Sequence, residues 1–129
     1  MILEEALTRE LMDDSTFSGL ATAFYDEANQ DVSGDYVTTQ KISGVRDHTH
    51  QGASGLVRAR IQFSIFSSTY IAGKTIAASI ASVLDGYSGT MQSSVTVGSC
   101  LYEDETDQGY QTNEDLHHLT VDYMIWYKE

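Results

Sequence analysis

The sequence predicts an α+β fold, in which a mainly antiparallel β-sheet is flanked by two helices in the order α-β-β-β-α-β-β. Two segments, 2–12 and 70–84, repeat apolar residues at spacings of three and four, which is typical of amphipathic helices. Two others, 56–66 and 116–128, alternate apolar and polar residues, which is typical of strands with one buried face. This order of helices and strands favours helices packed on one antiparallel sheet. A length of 129 residues suits a single domain, expected over 1–129.

The N-terminal half is predicted to hold the first helix, a polar loop and a long β-hairpin. Glu4 and Glu5 lie in the first turn of the helix, where acidic side chains interact favourably with the helix dipole. Residues 26–35 are polar and carry four acids, which predicts a loop. Residues 36–43 are rich in β-branched residues and tyrosine and therefore predict a strand. The glycine-punctuated stretch 44–55 predicts a long hairpin loop.

The strand at 56–66 and the helix at 70–84 form the centre of the predicted fold. The run 67–69 offers hydroxyl side chains that can cap the start of the helix, and Gly86 is placed to end it in a left-handed conformation. One side of this helix is unusually small, with Ala77, Ala78, Ala81 and Ser82. Two interpretations stay open for this side, tight packing on the sheet and a contact between subunits.

The C-terminal part is predicted to form a weakly alternating strand at 92–103, a charged loop at 104–115 and a last strand at 116–128. Large side chains occupy both faces of the last strand, with Tyr123 and Tyr127 on one face and Met124 and Trp126 on the other. Such a strand is either buried on both faces or forms half of an interface. Met124 and Trp126 are therefore candidate anchors for a partner.

Charge and cysteine content narrow the function classes. A formal net charge of −12 argues against sequence-independent binding to nucleic-acid backbones, which needs a basic surface. Cys100 is the single cysteine, so no intramolecular disulfide can form, and we expect it to be a small, inert strand residue. The sequence shows neither a signal-peptide pattern nor an apolar run of membrane-spanning length, which predicts a soluble protein made in a reducing cytoplasm.

Candidate chemical motifs are weak. The run Asp47-His48-Thr49-His50 invites a metal interpretation, but alternate strand residues supply only two ligands, and a site would need Asp122, His117 or His118 to converge. Exposed loop histidines are the simpler interpretation. The run Gly73-Lys74-Thr75 resembles the end of a phosphate-binding loop but lacks the upstream glycine and lies inside the predicted helix. We therefore predict no catalytic residue, no metal ligand and no cofactor.

The order of elements resembles the tail-completion, or tail-terminator, family of tailed bacteriophages, which includes the lambda U protein. The resemblance is carried by an opening helix, a strand ending Lys41-Ile42-Ser43-Gly44, a strand of the type Val57-Arg-Ala-Arg-Ile-Gln-Phe-Ser-Ile-Phe66, an alanine-rich helix closing Val83-Leu-Asp-Gly86, an acidic Tyr102-Glu-Asp-Glu-Thr106 segment and a final strand ending Ile125-Trp-Tyr127. It covers nearly the whole chain and includes no catalytic signature. The family's usual proline before the Tyr36 strand is absent here.

The resemblance implies a structural virion protein that is not an enzyme. It would be assembled in the host bacterial cytoplasm and located in the tail or neck of the virion, without contact with a membrane. Members form a ring, usually of six subunits, at the head-proximal end of the tail tube. There they stop tube growth and join the tail to the head connector, and DNA only passes through the lumen. An acidic lumen wall, including the 103–107 acids, would repel that DNA.

The expected assembly interface combines the hairpin with the polar face of the central strands. Residues in the hairpin would reach a neighbouring ring, the two strand arginines would pair with Asp122 or with the 103–107 acids of the same or the next subunit, and two apolar residues would anchor a partner. These residues are Arg46, Asp47, His48, His50, Gln51, Arg58, Arg60, Asp122, Met124 and Trp126.

Three other functions remain open from the sequence. A neck or head-closure protein on the connector side would occupy the same junction. A small metal-dependent enzyme would use His48, His50 and Asp122. A small-molecule-binding module would need an apolar pocket with converging polar groups.

Overall fold

The computed structural model describes residues 2–24, 35–49, 52–93, 95–111 and 116–128. These residues form three helices and six strands. The helices are α1 (Leu3–Asp13), α2 (Ser15–Ser18) and α3 (Tyr70–Leu84). The strands are β1 (Thr22–Phe24), β2 (Tyr36–Thr49), β3 (Gly52–Ser67), β4 (Gly89–Met91), β5 (Val95–Gln111) and β6 (Leu116–Lys128). The predicted α+β fold is confirmed, with α2 and β4 as additions to the predicted order.

The six strands form one sheet in the order β1-β2-β3-β6-β5-β4. Four long strands, β2, β3, β6 and β5, are antiparallel to their neighbours, and only the short β1 pairs in parallel, with β2. The two outermost strands have three residues each. β1 lies beside 36–38 of β2, and β4 lies beside 95–97 of β5. Most of the length of β2 and β5 therefore has no further strand beside it among the described residues.

The hydrophobic core lies on one face of the sheet, under α1 and α3. Alternate residues of β3 and β6 point into it, as the sequence pattern predicts, and they meet the apolar stripes of the two long helices. Fully buried members include Leu7, Phe17, Phe63, Ile80 and Tyr123. We call the opposite side of the sheet the helix-free face, because none of the described helices covers it.

The capping residues of α3 behave as predicted. The Oγ1 atom of Thr69 accepts a hydrogen bond from the amide of Ala72 at 3.1 Å, which satisfies one of the free donors at the start of the helix. Gly86 follows the helix with a φ of +81°, a left-handed conformation that glycine adopts without strain. Ala77 packs into the core, whereas Ala78 and Ser82 are exposed. The small side of this helix thus divides between tight packing and solvent.

Two predicted loops, 44–55 and 104–115, are wrong over their described residues, which are strand. β2 continues to Thr49 and β3 begins at Gly52, so the backbone of 44–49 and 52–55 forms paired strand that leads towards the hairpin tip. Likewise β5 runs on to Gln111, and the acidic residues Asp104, Glu105 and Asp107 lie within it instead of in a loop. Polar composition misled the prediction in both cases, because ladder hydrogen bonds to a neighbouring strand hold these residues extended whatever their side chains.

Candidate assembly surface

The helix-free face presents rows of side chains that cross the four long strands. Strand register places Gln40, Gln62, Asp122 and Asp104 in one row, and Thr38, Ser64, Thr120 and Thr106 in the next. A sheet with one face in the core and one outside it has this polar second face. Thr120 is buried and Asp122 is 9% exposed, although no described helix covers them. The middle of the face is therefore shielded by the side chains of its neighbours.

Arg60 and Asp122 form the central ion pair of this face. Nη2 of Arg60 lies 2.6 Å from Oδ2 of Asp122, and Nε donates to the same oxygen at 3.1 Å. The hydrogen bond and the charge of Asp122 raise the pKa of Arg60 above its ordinary value. The other carboxylate oxygen, Oδ1, is buried and has no hydrogen-bond partner among the described residues. The pairing that the sequence suggested is thus made within one subunit.

Arg58 differs from Arg60, although both occupy the same strand and face. It is exposed and lies beside Trp126 in the strand register. No ion pair joins Arg58 to a described acid. A guanidinium that is exposed on a sheet face is available to a carboxylate of another molecule. Arg58 is therefore the better candidate of the two for an intermolecular contact.

Apolar side chains lie next to this pair of arginines. Met124 and Trp126 are both half-buried. The second face of the last strand is therefore neither fully buried nor fully exposed to a partner. Leu101 lies directly opposite Met124 on β5 and is 48% exposed. The helix-free face thus carries exposed apolar area beside the exposed guanidinium of Arg58, a combination that is common at protein interfaces.

The remaining predicted residues lie on the hairpin. The backbone of Arg46, Asp47 and His48 is part of β2, which extends with β3 beyond the end of β6. His50 and Gln51 lie outside the described residues. The position of this arm, projecting from the end of the sheet, is the structural basis for expecting it to contact a neighbour.

The two ends of the sheet carry opposite charge. Five of the seven basic residues lie on the side of the sheet nearer to the β2–β3 hairpin. They are Lys41, Arg46, Arg58, Arg60 and Lys128. Four of the five residues 103–107 are acids, and they lie on β5 towards the opposite end. Lys74 on α3 binds the inner part of this acidic run, with Nζ 3.1 Å from Oε2 of Glu105. The surface therefore has complementary basic and acidic regions.

An aromatic row at the far end of the helix-free face was not predicted. The Tyr36 ring stacks on Phe66 with 4.8 Å between ring centroids, and Phe66 stacks on His118 at 4.4 Å. His117 points to the other side and meets the edge of Tyr70 at 6.1 Å. The alternation of the sequence predicts which face of its strand each residue occupies. Only the register between strands shows that Tyr36, Phe66 and His118 lie in one row. The adjacent histidines therefore lie on opposite faces, as expected, and both are half-buried.

The metal interpretation gains no cluster from the described part of the chain. No group of three or more His, Cys, Asp or Glu side chains suited to a metal ion occurs among the described residues. Asp122, which that interpretation required, has Oδ2 bound by Arg60. Similarly, none of the described helices is long and apolar enough to cross a membrane.

Comparison with known proteins identifies the family. The sequence profile of the family described as tail completion protein gp17 matches residues 5–128. The chain belongs to this family. It is therefore a structural protein of the bacteriophage tail, and the resemblance drawn from its sequence is confirmed.

The fold has a counterpart in a solved virion. A chain of the virion of a native gene transfer agent (GTA) particle superposes with a TM-score of 0.81 over 98% of this chain and 95% of the other, at 13% sequence identity. At that identity the likeness shows the shared fold alone. Among the curated proteins, none matches the chain in sequence.

Proposed function

We propose that this tail completion protein forms a ring, of six copies as the resemblance implies, on the head-proximal end of the tail tube. The ring stops tube growth and provides the surface to which the head connector binds. The observation that carries the proposal is the family match, which extends over nearly the whole chain. The role is structural, not enzymatic, and residues 1–129 act as one domain.

Three features of the surface support an assembly role. The β2–β3 arm extends beyond the end of β6, where it is placed to contact a neighbouring ring. Arg58 is exposed beside the half-buried Trp126 and Met124, so the hairpin half of the helix-free face offers both a charge and apolar area. Opposite charges at the two ends of the sheet favour head-to-tail contacts, which close into rings when the rotation is correct.

The first test is a genetic one in the phage that encodes the chain. Without the protein, we expect tails of uncontrolled length that carry no heads, seen by negative-stain microscopy. Tails of normal length that fail to attach to heads would instead identify a connector-side neck protein. Normal, infectious particles would contradict both functions.

The second test asks whether Arg58 contributes to assembly. We expect Arg58→Glu to leave the thermal unfolding of the isolated chain nearly unchanged, because the side chain is exposed, and to reduce the recovery of joined particles by at least tenfold. Arg9→Glu is the matched control, since Arg9 is exposed on α1 and Glu5, at 2.8 Å, is its ion-pair partner among the described residues. Equal particle yields from the two variants would remove Arg58 from the interface.

A further inference from the structure

Two long strand edges lack a partner strand among the described residues, and they lie at diagonally opposite corners of the sheet. Among the described residues β1 covers β2 at 36–38, and no other described strand lies beside 39–49. β4 covers β5 only at 95–97. The α3–β4 turn then occupies the next stretch, where Gly86 N donates to Cys100 O at 2.8 Å and Tyr102 N donates to Asp85 Oδ1 at 3.2 Å. The open part of the β5 edge is therefore 103–111.

Open edges of this length present a row of N–H and C=O groups with which a strand of another chain can pair. We propose that 103–110 of β5 in one copy pairs with 39–46 of β2 in the next copy, as an antiparallel ladder with Thr106 opposite Ser43. This inference rests on the proposed ring, because it specifies which backbone segments join neighbouring subunits.

Strand direction supports this pairing. Along β2, β3, β6 and β5 the chain direction alternates, since all three pairs are antiparallel. With an even number of strands, the β2 strand of a second copy in the same orientation is antiparallel to β5 of the first. The alternation therefore continues from copy to copy. Face parity also agrees, because Ser43 (opposite Arg60) and Thr106 (opposite Thr120) both belong to the helix-free face.

The diagonal position of the open edges fits a closed ring. Within one copy, Thr106 is level with Thr38 through Thr120 and Ser64. Placing Thr106 opposite Ser43 of the next copy shifts that copy along the strands by about 14 Å, allowing for the irregularity after Lys41. Four strand spacings amount to about 19 Å across the sheet, so a ring closed in this way tilts its strands by roughly 35°. Closed β-barrels have strand tilts of this size.

Charge complementarity favours a second copy as the partner. The open β5 segment holds Glu103, Asp104, Glu105 and Asp107, and the open β2 segment holds Lys41 and Arg46. Antiparallel pairing about Thr106 and Ser43 places Arg46 opposite Glu103. Opposite charges on facing strands stabilise a ladder, whereas pairing β5 with a second β5 would oppose acid to acid. The acids of β5 then lie between subunits, a different role from the lumen wall expected from the sequence.

A side chain occupies part of this edge in the single chain. Oδ1 of Asp104 accepts a hydrogen bond from the Glu105 amide at 2.8 Å, so one outward donor of the edge is satisfied locally. Charged residues that cover an edge in this way discourage indiscriminate pairing. Pairing with β2 of a neighbour requires the Asp104 side chain to release that amide.

Cross-linking tests the pairing directly in the full chain. In a Cys100→Ala background, Ser43→Cys and Thr106→Cys are combined, and both positions are exposed. Within one copy the two Cα atoms are about 20 Å apart, beyond a short bismaleimide, so any link must join two copies. We expect a ladder of covalent oligomers whose largest closed species equals the ring. Ser43→Cys with Thr96→Cys is the matched control, because Thr96 lies on the same strand under β4 and should give no ladder.

Each outcome decides the question. Ladder formation by the Ser43/Thr106 pair alone supports the edge pairing. Closed rings of the correct mass without a ladder would overturn the edge pairing and leave the proposed function standing. Dimers from Thr106→Cys alone or Ser43→Cys alone would show like edges meeting and contradict a head-to-tail ring. Monomers without any cross-link, at every concentration and also when tail tubes are added, would overturn both proposals.

Discussion

Arg60 holds the buried carboxylate of Asp122 through two nitrogen atoms, at 2.6 and 3.1 Å from the same oxygen. Asp122 is 9% exposed, and its second oxygen has no hydrogen-bond partner among the described residues. A buried charge that loses its partner is costly, whereas removal of both partners costs less. A change of register that separated the two side chains would therefore be costly, so the pair favours the observed register of β3 and β6.

We expect Arg60→Met to lower the midpoint of urea unfolding clearly, because the Asp122 carboxylate then has no donor. In an Asp122→Asn background the same change should cost less, and this difference measures the coupling between the two side chains. Arg58→Met is the matched control, since Arg58 lies on the same strand and face but is exposed. Equal losses for Arg58→Met and Arg60→Met would contradict a structural role for the ion pair.

The packing of α3 on the end of β3 gives a second prediction. A Cβ atom added at Gly73 would lie 2.7 Å from Oγ of Ser67, and that hydroxyl is buried and donates to the Thr69 carbonyl at 2.7 Å. Replacing glycine by alanine inside a helix ordinarily stabilises it by about 1 kcal/mol. Here we expect Gly73→Ala to destabilise the fold, as measured by thermal unfolding.

Removing the hydroxyl should reverse the sign of that effect. In a Ser67→Ala background the next atom is the Cβ of residue 67, at 3.7 Å from the added methyl group, which is an ordinary contact. Gly73→Ala should then stabilise the chain by up to about 1 kcal/mol relative to Ser67→Ala alone. Destabilisation of the same size in both backgrounds would show that the hydroxyl is not the obstacle.

Alkaline pH provides a third prediction, which concerns Cys100. Burial, with a smaller effect of the Asp85 charge, raises the pKa of this thiol from 9.0 to about 12. The unfolded chain loses this proton above pH 9 and the folded chain keeps it. The stabilisation is therefore complete below pH 9 and is lost as pH rises towards 12, at up to about 1.4 kcal/mol per pH unit.

Comparison with Cys100→Ala isolates this contribution. The variant loses some packing at every pH, but the difference in unfolding free energy between the two proteins should shrink from pH 9 to pH 11. Urea unfolding at several pH values between 8 and 11 measures it. A difference that stays constant over this range would show that the thiol ionises in the folded chain as in the unfolded one. Burial also raises the pKa of Tyr123 in both proteins, whereas the smaller rise that Cys100 adds is present only in the parent chain and belongs to the measured difference.

The sequence predicted those parts of the fold in which a periodic pattern reflects burial. In the alternating segments from Val57 to Ile65 and from Leu119 to Tyr127, every second residue is apolar, and each of these side chains is buried in the core. Thr69 caps α3 and Gly86 ends it, because these positions need particular backbone and side-chain chemistry that few residue types supply. Order and type of these elements also carried the family resemblance.

Polar strand segments could not be predicted in the same way. Residues 44–49 and 104–107 contain charges and glycines that resemble a loop, yet they extend β2 and β5. Their conformation depends on hydrogen bonds to strands that are distant in sequence, so the local sequence pattern does not predict it. The same reason hides the short strand β4, and it hides the unpaired edges that the shortness of β1 and β4 leaves on β2 and β5.

The sequence by itself thus determined which faces are buried, where the long helices lie and to which family the chain belongs. Only the tertiary structure decided that Arg60 pairs with Asp122 while Arg58 remains exposed, and that Tyr36, Phe66 and His118 stack in one row. Burial is visible in the sequence of each strand and long helix as a periodic pattern, because the apolar side chains of that element must face the core. Register joins segments that are far apart along the chain, and it therefore becomes visible only when the strands are placed side by side.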